Sequence, residues 1–240
     1  MILLPDLNRR DEHAHEQIDA LDGDLETLYR TYAYLPVINA LVSGWRGLYV
    51  QFVRPHLSPV RVTTLLDIGC GGGDVTRNLM RWADADGLRL EATGIDTDPR
   101  AIDYASSLPP YAGLRFYHVS SRTLVEQGQR FDLVVSNHML HHLTDDEIPP
   151  LLDDCRRLAR REVLLSDLDR SRFSYVLFAV CTWPFFRNSS IKQDGLISLR
   201  RAFTAEELRE RLPCGWSYQP QSRYRHLVRY FAPTPTEVNP

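Results

Sequence analysis

Apolar and polar positions along this chain follow two periods. Short apolar stretches at 63–68, 89–95, 113–119, 131–136 and 162–167 have the length of buried strands, and the segments between them, such as Val75 to Ala85 and Asp145 to Arg160, have helical composition. Such alternation of strand and helix predicts an α/β fold with a doubly wound, mostly parallel sheet and right-handed crossovers. Two further strand-like stretches, Trp216 to Gln219 and Tyr224 to Phe231, lie side by side near the end. No internal repeat is present.

The first 60 residues follow the helical period. Leu25, Leu28, Tyr29 and Tyr32 fall on one face, and Leu41, Trp45, Leu48, Tyr49 and Phe52 on another, ending near Pro55. Two amphipathic helices are therefore expected before the sheet. Phe173 to Phe186 is a 14-residue stretch without charge, flanked by Arg172 and Arg187. A spanning helix needs about 20 apolar residues, and Pro184 interrupts this one, so it is not expected to cross a membrane. Following the fifth strand directly, it suits a cap walling an apolar pocket; an ordinary buried helix or a shallow membrane contact are the other readings. The expected organisation is a helical segment at 1–60, a main domain at 61–232 with the cap at 170–200, and a loose tail at 233–240.

The first strand leads into chemistry. Leu65, Leu66 and Ile68 run into Asp67, then Gly69-Cys70-Gly71-Gly72-Gly73-Asp74. Glycines at 69, 71 and 73 permit positive φ and let a ligand approach the backbone, while the following helix aims its free N–H groups at that ligand. A dinucleotide turn needs a small residue at position 74, where Asp74 would repel a pyrophosphate, so a nicotinamide-dependent oxidoreductase is disfavoured. The second strand ends at Asp96-Thr97, about twenty positions on, where a carboxylate can accept both ribose hydroxyls; Asp96 read alone could also cap the helix at Asp98-Pro99-Arg100. The fourth strand, Phe131 to Val135, ends in Ser136-Asn137-His138-Met139-Leu140-His141-His142-Leu143, on the sheet edge where open α/β sheets hold ligands.

These three motifs, in order over residues 62 to 168, resemble the class I S-adenosylmethionine-dependent methyltransferases, and in particular the small-molecule branch similar to quinone-biosynthesis methyltransferases. The resemblance implies a Rossmann-like sheet of seven strands closed by an antiparallel pair, with N-terminal helices and a helical cap. It also implies S-adenosyl-L-methionine as cofactor, held by Asp67, Gly69, Cys70, Gly71, Gly73, Asp96, Thr97, Ser120, Ser121, Ser136 and Asn137. Many relatives carry an adenine-binding aspartate after the third strand; here Ser120-Ser121-Arg122 stand in that place, and a serine hydroxyl accepts more weakly than a carboxylate. The implied substrate is a small apolar, aromatic acceptor such as a phenol or quinol, with O-methylation preferred.

A phenol must lose a proton, and histidine suits that task at neutral pH. If the segment from 138 enters a helix, His138 and His142 share a face while His141 and His142 cannot point at one spot, so His138 is the first candidate base, His142 the second and His141 the third. His138 and His142 lack a third ligand in the sequence, and no metal is expected. The 28 Lys and Arg against 31 Asp and Glu, with no basic tract, argue against a nucleic-acid substrate. Cysteines at 70, 155, 181 and 214 have no metal spacing and suit a reduced, cytoplasmic protein; the short apolar start followed by acids gives no export signal. A cofactor-binding protein without methyl-transfer activity is the remaining alternative. Oligomeric state is not legible.

Overall fold

The computed structural model describes residues 5–20, 24–182 and 191–233. After a short turn of 3-10 helix at Gln17–Asp19, the first long helix, α1 (Leu25–Val42), is capped by Asp24, whose side chain accepts from the Thr27 N–H. Gly44, with φ of 67°, ends that run, and α2 (Trp45–Leu48) continues through a π turn and a 3-10 turn to His56. The break therefore falls at Gly44, and position 41, expected in the second helix, belongs to the first.

Then come β1 (Thr63–Ile68), α3 (Asp74–Ala85), β2 (Leu90–Asp96), α4 (Pro99–Ser107), β3 (Leu114–His118), α5 (Ser121–Glu126), β4 (Phe131–Asn137), α6 (Ile148–Leu158) and β5 (Ala159–Leu168). Two cap helices, α7 (Arg172–Thr182) and α8 (Ile191–Arg201), a short α9 (Ala205–Arg211) and the strands β6 (Trp216–Ser222) and β7 (Arg225–Phe231) complete the chain. The sheet has seven strands in the order β3-β2-β1-β4-β5-β7-β6. β1 to β5 pair in parallel, and β7 is antiparallel to both β5 and β6. Order reverses between β1 and β4, so the loops after these two strands open on one crevice.

Both faces are covered, and successive residues of a central strand feed opposite cores. Leu65, Leu133, Val135, Leu164 and Leu227 join Trp45, Tyr49, Val75 and Leu79 on one face. Leu66, Ile68, Val134, Val163, Leu165 and Val228 join Leu124, Leu152, Leu158 and Phe203 on the other. Trp45, Leu48, Tyr49 and Phe52 thus pack on the sheet, whereas Leu28 and Tyr32 of α1 pack against Ala101 and Tyr104 of α4.

Among the described residues no helix is long and apolar enough to cross a membrane. Cys70, Cys155 and Cys214 are free thiols. The Pro184 region of the expected cap and the tail from 234 lie outside the described residues.

Leu164, fully buried at the centre of the sheet, should lose about 2–5 kcal/mol of stability on change to Ala, while Val60→Ala at an 80% exposed site should stay within about 0.5 kcal/mol. Urea unfolding midpoints distinguish the two; equal shifts would place the core elsewhere.

Candidate active site

One cavity of about 1540 Å³ lies over the ends of β1, β2 and β4. Pockets for a single drug-sized ligand run from roughly 300 to 1,000 Å³, so this one has room for two partners side by side. It is lined by the glycine turn and by Tyr32, Leu35, Ile38 and Asn39 of α1, which places α1 over the crevice. On its far side stand Leu177, Phe178, Ile191 and Leu199 of the cap helices.

The half over β1 is acidic. Asp67, at the tip of β1, is 1% exposed, accepts from the Thr76 hydroxyl at 2.5 Å, and is pushed up to about 7 by burial. Asp74, at the first position of α3, accepts from Asn39 Nδ2 at 2.9 Å and is also raised by burial. Asp96 accepts the backbone N–H of Gly71 and of Asp98, each at 2.9 Å, and burial lifts its pKa too. Among the described residues Arg201 is the sole lysine or arginine lining the cavity, and its N–H groups serve backbone carbonyls. The helix-cap reading of Asp96 fails, because Asp98 caps α4 through the Arg100 N–H.

The turn itself needs glycine where it approaches its neighbours. A Cβ at Gly69, φ 68°, would stand 3.0 Å from Met139 Sδ, and one at Gly73, φ 77°, would stand 2.5 Å from the Phe116 ring. Asp67, Gly69, Cys70, Gly71, Asp96, Thr97, Ser120, Ser121 and Asn137 all line the cavity. Gly73 and Ser136 do not. Gly73 makes room for Phe116, and the Ser136 hydroxyl donates to the Ile68 carbonyl at 2.7 Å, tying β4 to β1. The two serines, while lining the cavity, also serve the protein: Ser120 Oγ accepts from the Thr123 N–H as the cap of α5, and Ser121 Oγ donates to Asp154 at 2.9 Å. Both hydroxyls are engaged in holding the loop.

The other end carries the histidines, in an arrangement the helical expectation did not give. His138 sits at φ 59°, a left-handed backbone conformation uncommon outside glycine, and the chain then makes a 3-10 turn at Leu140–His142. His138 and His142 therefore share no helix face. Arg225, 1% exposed, donates to His138 Nε2, to Asn137 Oδ1 and to Ser166 Oγ. Burial and the Arg225 charge hold His138 well below the usual imidazole range, and its Nε2 lone pair is occupied, which removes it as first candidate base.

His141 and His142 instead stack, ring centroids 4.3 Å apart, and both approach one carboxylate, Glu16. His141, 1% exposed, has Nδ1 at 2.6 Å from Asp167 at the end of β5; burial opposes its charge, but Asp167 and Glu16 outweigh it and push the ring up to about 9. Asp167 is correspondingly held far below the usual carboxylate range. His142 has Nδ1 at 3.0 Å from Asp19 and is the more exposed of the pair. Arg10 and Arg201 clamp this turn by donating to the carbonyls of His141, His142 and Leu143.

Residues 65–162 match the family model of a methyltransferase domain. A ubiquinone biosynthesis O-methyltransferase of Cereibacter sphaeroides is 32% identical over 128 residues, covering 51% of this chain and 48% of its own; one of Albidiferax ferrireducens is 30% identical over 173 residues, covering 70% and 59%. Over residues 65–162 the chain carries a methyltransferase domain similar to the class I S-adenosylmethionine-dependent enzymes. It spans about half the length of the Cereibacter relative it matches. In fold, this chain is similar to the plantazolicin methyltransferase BpumL solved with SAH, with a TM-score of 0.63 at 14% identity over 90% of this chain and 93% of that one. It is also similar to human N-acetylserotonin methyltransferase solved with SAM, with a TM-score of 0.58 at 14% identity over 85% of this chain and 55% of that one.

Four groups of the site escaped the sequence reading: Glu16, Asp19, Asp167 and Arg225. Asp167 had a signal, since it ends β5 on the ligand edge of the sheet. Glu16 and Asp19 had none, because only tertiary structure brings them more than a hundred positions along the chain to the histidine turn.

Proposed function

We propose that this chain transfers a methyl group from S-adenosylmethionine to the oxygen of a small apolar, aromatic acceptor of the phenol or quinol class. The observation that carries the reading is the acidic half of the cavity. Asp67, Asp74 and Asp96 surround a glycine turn with no basic side chain to offset them, which suits a nucleoside bearing a sulfonium and an ammonium and opposes a pyrophosphate. Asp96 holds the ribose hydroxyls, and Asp67 and Asp74 face the cationic amino-acid part. When bound, the cofactor supplies a methyl on a sulfonium that an oxygen displaces in line.

The protein's remaining tasks are alignment and exclusion of water. α1 and the cap helices wall the acceptor half with Leu35, Ile38, Leu177 and Phe178, which favours an apolar ring. His142, its Nδ1 fixed on Asp19, presents Nε2 and takes the proton of the acceptor hydroxyl, leaving the electron pair on the oxygen. O-methylation is supported further by the names of the curated relatives. Mass spectrometry of labelled methyl transfer into a panel of phenols, quinols and amines tests this reading, and labelling confined to amines would overturn it.

Asp96→Ala should weaken S-adenosylmethionine binding about 10- to 150-fold by removing charge-assisted bonds worth about 1.5–3 kcal/mol. Calorimetry measures this, and unchanged affinity would remove the ribose assignment.

Because a cationic ligand favours ionised Asp67, binding should release a proton and tighten as pH rises through about 7. S-adenosylmethionine affinity should increase up to roughly tenfold from pH 5.5 to 7.5, and S-adenosylhomocysteine, which lacks the sulfonium charge, should gain less. A flat profile for both would contradict the role of Asp67.

His142→Ala should lower turnover by roughly 10²–10⁴-fold while leaving cofactor affinity within about twofold. A loss carried by cofactor affinity instead would place His142 at the donor end.

A further inference from the structure

We propose that Asn39 of α1 binds the amino-acid end of the methyl donor, a role that rests on the methyl-transfer reading above: its side-chain oxygen accepts from the donor's ammonium while its side-chain nitrogen holds Asp74. Helix α1 lies close on the glycine turn. A Cβ at Gly72 would stand 3.2 Å from Tyr32 Cβ, and one at Gly71 would stand 3.8 Å from Tyr32 Cε1. Tyr32 and Asn39 are seven positions apart, two helical turns, so they share a face, and both line the cavity. That face runs along the donor half, from Tyr32 beside the glycines and Tyr104 to Asn39 at the start of α3.

Asn39 is 5% exposed, and the stretch from Leu35 to Val42 has no other polar side chain. Half of its amide is satisfied. Nδ2 donates to Asp74 Oδ2 at 2.9 Å, whereas Oδ1 is buried with no hydrogen-bond partner among the described residues. An ionised carboxylate only accepts, so Nδ2 is the atom that faces Asp74 and Oδ1 is the one left over. A buried amide oxygen without a donor is costly, and in a ligand cavity the ligand can supply that donor. The torsion that turns an asparagine amide is soft, so a small rotation brings Oδ1 to a ligand atom.

The neighbours select the ligand group. Burial disfavours the charged forms of Asp67 and Asp74, and the bond from Asn39 works the other way on Asp74, favouring its ionised form. An ammonium carries three N–H donors, enough to serve Asp74 and Asn39 Oδ1 together, and its charge offsets the carboxylates. A hydroxyl offers one donor and no charge, and a carboxylate would be repelled. Leu35 and Ile38 of the same helix wall the acceptor half, so a donor held at Asn39 also steadies the acceptor's wall.

The test is calorimetry of the full chain at pH 7.5 with S-adenosylhomocysteine and with its analogue carrying hydrogen in place of the α-ammonium. The parent should prefer S-adenosylhomocysteine at least about tenfold. Asn39→Ala, and Asn39→Leu, which keeps the volume, should each weaken S-adenosylhomocysteine at least about tenfold while the analogue stays within about threefold, so that the preference collapses. In an Asp74→Asn background, whose remaining oxygen still receives Asn39 Nδ2, Asn39→Ala should weaken S-adenosylhomocysteine at least about threefold more than the analogue. No further loss in that background would reduce Asn39 to a support for Asp74 and overturn the contact. Equal weakening of both ligands in the Asn39 variants, the mark of a loosened helix, would overturn it too. A parent that binds neither ligand overturns the cofactor reading and the role of Asn39 together, whereas a parent that binds S-adenosylhomocysteine and an Asn39→Ala variant that keeps the parent's preference overturn the role of Asn39 alone.

Discussion

Uncompensated negative charge at the tip of the sheet organises this molecule. β1 and β2 deliver Asp67 and Asp96 to one crevice, α3 adds Asp74, and burial raises the pKa of all three carboxyls. A fold that stops there holds carboxylates whose charged form is disfavoured until a cation arrives. The glycine turn keeps the backbone low enough for that cation to sit among them. Neighbouring features follow from it: Asn39 reaches from α1 to Asp74, and Tyr32 packs beside Gly72, so the helix over the crevice is fastened to the same acidic turn.

The acceptor end is built on different terms. Its charges are paired and held by a network drawn from four separate parts of the chain: the strap before α1, the turn after β4, the tip of β5 and the end of α8. Asp11 bonds Arg200, Gln17 bonds Asp194, and Arg10 and Arg201 grip the carbonyls of the histidine turn. The strap that supplies Glu16 and Asp19 is thus anchored on the cap helix α8. The family-model match over residues 65–162 takes in the glycine turn and the histidine turn but neither the strap nor α8.

Most of the sheet and the donor half were legible because their determinants are local. Strand periodicity, a glycine turn and an acid at a strand tip each occupy a few consecutive residues, and Asp67, Gly69, Gly71 and Asp96 stand in the cavity together. Where reading failed, a tertiary partner had intervened. His138 looked like the base from sequence, but Arg225, 87 positions away, occupies its lone pair and its backbone turns left-handed. A helical register was assumed after β4, whereas a 3-10 turn brings His141 and His142 onto one carboxylate. Ser136 had the chemistry of a ligand contact, yet its hydroxyl serves a strand carbonyl and it does not line the cavity.

The central claim is that the cavity's acidic half selects a cationic, phosphate-free nucleoside. Calorimetry of the unmodified chain against S-adenosylmethionine and NAD⁺, side by side at pH 7.5, tests it most directly. Saturable binding of S-adenosylmethionine with no detectable binding of NAD⁺ is the predicted result. NAD⁺ binding as tight as or tighter than S-adenosylmethionine would contradict it.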